Sequence, residues 1–138
     1  VNFIEKQIEA FDPSRIFTHH PADLNNDHLQ VSRACVAASR LFQRKEGLLN
    51  LESIHYMEIL SSTDWSFSNG NTFQPNLFVE ISEQINSKIN ALNEYKDVMR
   101  EFPHPRSEEI VRGLASYRGG QSKQLYSEAF QTIFKREI

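Results

Sequence analysis

The sequence predicts an α/β sandwich with a mainly parallel sheet. Apolar residues at helical spacing alternate along the chain with short apolar runs of strand length. Breakers and turn formers fall between them. The composition is that of an ordinary folded domain: 138 residues, 39% hydrophobic and 24% charged, long enough for one core and too short for two.

The elements follow in chain order. Phe3 to Phe11 reads as a helix, with Ile4, Ile8 and Phe11 on one stripe, and Asp12-Pro13 stops it. Arg15 to Thr18 is a short strand. Asp27 is a candidate N-cap or first-turn acid for the next helix. Its expected apolar face is Val31, Ala34, Cys35, Ala38, Leu41 and Phe42. Ser53 to Leu60 is a strand carrying Ile54, Tyr56 and Ile59, and Ser61 to Asn76 is loop, with a Ser-Asn-Gly-Asn turn signature. Leu77 to Ile81 is another strand. Ser82 can cap a long helix with Ile85, Ile89, Leu92, Tyr95 and Met99 on one stripe, broken by Pro103 and Pro105. Ser107 can cap a further helix, which Gly119-Gly120 kinks or ends. Tyr126 to Phe134 fits either a helical turn or an edge strand.

The chain opens on a helix with no strand before it. A right-handed crossover places a strand ahead of such a helix, so the sheet is expected to be incomplete in this chain. Residue 1 is Val rather than Met, which suits the same expectation.

Bulk properties exclude several classes. The net charge is -3 without a basic cluster, so no nucleic-acid partner is expected. No apolar run approaches the length of a membrane span, and no signal peptide is expected. The single cysteine, Cys35, excludes an internal disulfide, is expected to be a buried small hydrophobe, and suits a reducing, cytoplasmic setting. No glycine-rich phosphate loop is present, which argues against a nucleotide-binding module.

The chemistry concentrates in Thr18-His19-His20-Pro21-Ala22-Asp23-Leu24-Asn25-Asn26-Asp27-His28. These eleven residues hold three histidines and two aspartates at the exit of a predicted strand, where α/β folds place ligands. A catalytic zinc usually takes three protein ligands and keeps one position open. His28 is the best ligand candidate, because it sits just inside a helix start, and Asp27 beside it can orient it. His19 and His20 point to opposite sides if the strand continues, so at most one of them easily shares a site with His28. The plainer alternative is that Asp23 and Asn25 make turns and the histidines are solvated. His55 lies on a strand pattern and reads as structural.

Here the residues resemble a known family. The stretch looks like the second signature of the PIG-L/LmbE-like N-deacetylases, Thr-His-x-Pro-x-Asp-x-His-x-Asp-His, with Thr18, His19, Pro21, Asp23, Asp27 and His28 matching. Phe78-Val79-Glu80-Ile81-Ser82 with Lys88, Ala91-Leu92 and Tyr95 resembles the family's strand-then-helix segment. Phe102-Pro103-His104-Pro105-Arg106-Ser107 resembles its His-Pro-Arg-Ser element. Arg118-Gly119 with Tyr126-Ser127-Glu128-Ala129-Phe130 resembles its closing pattern.

The resemblance implies a Rossmann-like three-layer sandwich holding one Zn2+ and removing the N-acetyl group from an N-acetylglucosamine-type sugar or glycolipid, in glycan biosynthesis. It implies that His28 is a zinc ligand. His19, Asp23, Asn25 and Asp27 are the candidate catalytic residues around it. The family's remaining zinc ligands and its base come from an N-terminal Ala-His-Pro-Asp-Asp-Glu motif, which these residues lack. Residues 1–138 are therefore expected to be the C-terminal part of a single deacetylase domain. The N-terminal half of the same enzyme is its expected partner, and the isolated chain is expected to be inactive. The family has a histidine where Asn25 stands, and an amide cannot serve as a general acid near neutral pH. His19 and His20 are both open as replacements.

Arg106, Trp65 and His104 are the candidate substrate-binding residues. Arg106 suits an anionic group such as a phosphate, or alternatively pairs with Glu109. Trp65 suits a sugar-stacking wall or plain packing. Tyr126 and Glu128 read as structural. A homo-oligomer is compatible with all of this. The competing expectation is a non-catalytic binding or scaffold domain that keeps the deacetylase fold.

Overall fold

The computed structural model describes every residue except Leu49, Ser68, Asn69 and Ile138. The chain is an α/β protein in the order α1 (Asn2–Phe11), β1 (Arg15–His19), α2 (Asn26–Ser39), β2 (Ser53–Met57), β3 (Leu77–Glu80), α3 (Ile85–Asn93), α4 (Glu108–Ser122) and β4 (Ser127–Lys135). Short 3-10 turns span Arg40–Gln43 and Thr63–Trp65. The four strands lie in the order β1-β2-β4-β3. β1 runs parallel to β2, with Ile16 opposite Ile54 and Thr18 opposite Tyr56.

β4 corrects the expected mainly parallel sheet: it runs antiparallel to β2, with a bulge between Ile54 and His55. It is also an interior strand of nine residues, neither a helical turn nor an edge. A local apolar pattern marks a strand, but its direction and neighbours come from long-range pairing.

The chain divides into two compact units. The first comprises 1–74 and 130–138, the second 75–129. In the first, Ile8 of α1 packs with Ala38, Leu41 and Leu48, joined by Ile4, Ile16 and Phe42. Burying the larger side chains there, Ile8, Leu41 and Leu48, contributes about 1.5–3 kcal/mol each. Asp12 adopts a left-handed conformation at the end of α1, and its N–H returns to the Ile8 carbonyl. The buried face of α2 departs from the expected stripe. Ser32, Ala38 and Ser39 are buried, Cys35 is half-buried, and Val31 is exposed. Small serines allow close helix packing, which hydrophobicity alone does not register.

In the second unit Ile81, Ile85 and Ala115 pack together beneath Tyr126. Ser82 does not cap α3. Its hydroxyl instead donates to Glu80 and accepts the Tyr126 N–H, and α3 starts at Ile85. The helix stops at Asn93, short of Met99. Ser107 does cap α4, accepting the Ile110 N–H at 3.3 Å. α4 runs through Gly119-Gly120 and ends at left-handed Lys123. Gly119 is required for closeness rather than for breaking the helix: a Cβ there would sit 2.6 Å from the Gln124 carbonyl oxygen. Glu128 pairs with Lys88, in keeping with a structural role.

Candidate functional site

The His-rich loop joins β1 to α2 inside the first unit. β1 carries Thr18 to one side and His19 to the other, and His20 follows directly after the strand. The chain turns at 20–23, where the Asp23 N–H bonds to the His20 carbonyl. α2 then starts under the cap of Asn25, whose side-chain oxygen accepts the Asp27 N–H at 2.9 Å. Asn25 is thus the cap, and Asp27 is an exposed first-turn acid.

This geometry brings His19, Asp23 and His28 together. His28 Nδ1 lies 2.9 Å from Asp23 Oδ2, and the Asp23 side chain has no solvent exposure. The His19 and His28 rings stack with centroids 4.1 Å apart. Asp23, five residues back in sequence, therefore holds the imidazole, rather than the adjacent Asp27. One helical turn places neighbours in sequence on different faces, whereas the preceding turn folds Asp23 under the helix start.

Ser62, which nothing in the sequence singles out, joins the group. Its hydroxyl lies 3.2 Å from His28 Nδ1. Its carbonyl accepts the Leu24 N–H at 3.4 Å and the Trp65 N–H at 3.2 Å. Left-handed Ser61 (φ 67°) turns the chain into this position. A serine after a strand carries no signal of its own, so only the fold could find it.

Three polar atoms of this turn are buried without a hydrogen bond among the described residues: His19 Nδ1, His20 Nε2 and Asp23 Oδ1. Burial holds the His19 imidazole below its ordinary range, and His28 beside it acts in the same direction. His20 is fully buried; its Nδ1 accepts the Ala22 N–H, and its ring meets Tyr56 and Phe73 edge-on. Burial lowers its pKa as well, and the nearby Gln131 amide makes no hydrogen bond of normal geometry to it. His20 thus lies on the opposite side of β1 from the His19–His28 stack. His55 is held at both nitrogens, by Thr132 Oγ1 at 2.9 Å and Ser53 Oγ at 2.8 Å, as a structural histidine should be.

The remaining candidates belong to different units of the chain. Trp65 lies in the turn after Ser62, 52% exposed, with its ring 5.2 Å from Phe67. The Ser68-Asn69 half of the expected turn lies outside the described residues. His104 and Arg106 belong to the second unit, where His104 Nδ1 accepts the Arg106 N–H. Arg106 Nε is buried without a partner among the described residues, so the alternative pairing with Glu109 does not engage it. Among the described residues no group of three or more His, Cys, Asp or Glu side chains is arranged to hold a metal, and no helix is long and apolar enough to cross a membrane.

No protein-family model matches the chain, and no curated protein matches it in sequence. Solved structures do resemble it in fold. GalB, the 4-carboxy-2-hydroxymuconate hydratase from Pseudomonas putida KT2440, superposes with a TM-score of 0.74 at 18% identity over 99% of this chain. A conserved protein from Thermus thermophilus, TT1542, does so at 0.75 and 20% identity, also over 99% of the chain. The chain spans 58% and 59% of those two proteins. At such identities the likeness is one of fold.

Proposed function

We propose that this chain carries part of the active site of a zinc-dependent deacetylase, which hydrolyses the N-acetyl group of an N-acetylglucosamine-type sugar or glycolipid. The single observation that carries the proposal is the His28–Asp23 pair. A buried carboxylate on one imidazole nitrogen is the usual partner of a metal-ligating histidine, because it fixes the tautomer and the ring plane. With Nδ1 engaged by Asp23, His28 offers Nε2 as the ligand atom. The residues present therefore fit one ligand of a zinc site, and the other ligands are expected from the N-terminal half of the same cytoplasmic enzyme. When bound, zinc would supply Lewis acidity and an activated water for attack on the acetamide.

The chain's own residues have separable tasks in this proposal. Asp23 holds the Nδ1 proton of His28 and keeps the ring from rotating. Ser62 adds a second acceptor on the same side. His19, stacked on His28 and with its pKa lowered chiefly by burial, is the residue this reading assigns to accepting a proton during the reaction. Arg106 remains the candidate contact for an anionic part of the substrate, with Trp65 and His104 as the other candidate substrate-binding residues. Asn25 spends its side-chain oxygen on the helix cap. That observation favours the second reading, a deacetylase fold kept as a non-catalytic binding domain.

The deciding experiment uses the full-length protein loaded with zinc. It should release acetate from an N-acetylglucosamine derivative, and His28→Ala should abolish release while the fold persists by circular dichroism. Undiminished activity in that variant would sink the assignment.

A further inference from the structure

Two hydrogen bonds shape the turn at 20–23, and both end on His20. Its carbonyl accepts the Asp23 N–H at 3.2 Å, and its Nδ1 accepts the Ala22 N–H at 3.2 Å. A ring nitrogen that accepts carries no proton, so neutral His20 holds its proton on Nε2. The other tautomer would set two donors, Nδ1–H and the Ala22 N–H, against each other. That would open the turn that brings Asp23 to His28. The tautomer of His20 therefore matters to the pair two turns of chain away.

The Nε2–H is buried and makes no hydrogen bond of normal geometry among the described residues. A desolvated N–H costs free energy unless an acceptor stands beside it. Contacts from two sides place the Gln131 amide there. The His20 ring meets Tyr56 and Phe73 edge-on, with centroids 5.3 and 5.8 Å apart. Tyr56 lies opposite Gln131 in the β2–β4 pairing. Gln74, next to Phe73, donates its N–H to Gln131 Oε1 at 3.0 Å. That bond settles which end of the amide is the oxygen, and the amide favours a proton on His20. All of these residues belong to the first unit.

We propose that Gln131 is a positioning residue for the candidate site: its side-chain oxygen keeps the His20 proton on Nε2, and His20 in that form holds the turn that presents Asp23 to His28. The consequence for zinc rests on the deacetylase reading. The link from Gln131 to His20 does not.

The test uses the full-length protein, metal-free and with isotope-labelled histidine. The NMR shift of each ring nitrogen tells a protonated atom from an unprotonated one. His20→Gln and His28→Gln identify the signals by their loss. Wild type should show His20 protonated on Nε2 and His28 on Nδ1. Gln131→Leu and Gln131→Met keep bulk without the oxygen. They should move His20 toward the Nδ1–H form and speed exchange of the His28 Nδ1 proton with water. Gln131→Glu keeps an acceptor oxygen and should restore both signals. Zinc affinity, read by chelator competition, should fall about tenfold without the oxygen, the low end for losing a group that orients a ligand. It should recover in Gln131→Glu. An unchanged His20 tautomer in the oxygen-free variants overturns the proposal. Equal losses in Gln131→Glu also overturn it, as general damage to β4, and so does a moved tautomer with unchanged zinc affinity. If the wild-type protein binds no zinc while the tautomers respond as expected, the deacetylase reading fails and the Gln131–His20 link stands.

Discussion

Asp23 Oδ2 lies 2.9 Å from His28 Nδ1, and its carboxylate has lost all contact with solvent. A buried carboxylate without a partner is costly, so the pair is held by the desolvation that leaving it would entail. In the full-length protein, Asp23→Asn should keep the volume but lose the charge-assisted acceptor. Zinc affinity should fall about 10–100-fold, the usual cost of losing such a partner. Competition with a chromophoric chelator measures it; unchanged affinity would show that Asp23 does not act through His28.

Asn25 caps α2 through its side-chain oxygen. Asn25→Ala should lower unfolding stability by about 1 kcal/mol, and Asn25→Asp should restore it, since aspartate caps equally well. Urea unfolding reads both. If Asn25→Asp proves as unstable as the alanine variant, the cap is not what this residue contributes.

His19, His20 and His55 are each held below the ordinary imidazole range, chiefly by burial. The sign follows directly. A depressed pKa in the folded state means the unfolded chain binds more protons below about pH 6.5. Stability is therefore fully present above that pH and declines as pH falls through 6.5 toward the folded-state values. Each histidine contributes at most about 1.4 kcal/mol per pH unit. His20→Gln should make the decline shallower between about pH 7.5 and 5.5 in urea midpoints. An unchanged slope would mean that His20 is not the buried neutral group its surroundings indicate.

Gly119 lies against the Gln124 and Leu125 carbonyls, whereas Gly113 and Gly120 have nothing within 4 Å of a built Cβ. Gly119→Ala should destabilise by about 1–3 kcal/mol through overpacking. Gly113→Ala and Gly120→Ala, inside the same helix, should each stabilise by about 0.5–1 kcal/mol. Thermal unfolding of the three variants should order them in this way; equal effects would refute the close approach.

Much of this molecule is legible from local pattern. Helical stripes place α1, α2, α3 and α4, apolar runs place β1, β2 and β3, and Ser107 announces its own cap, because these features depend on neighbours a few residues apart. The loaded loop between β1 and α2 is legible for the same reason. Contacts across the chain are not: the antiparallel course of β4, the closeness that demands Gly119, and the arrival of Ser62 thirty-four residues after His28. The choice of Asp23 over Asp27 belongs here too, since it turns on how the loop folds back rather than on adjacency. Residue order along the chain sets which groups are available at this site. Folding selects which of them meet, because burial and hydrogen-bond geometry depend on through-space neighbours that local periodicity does not encode.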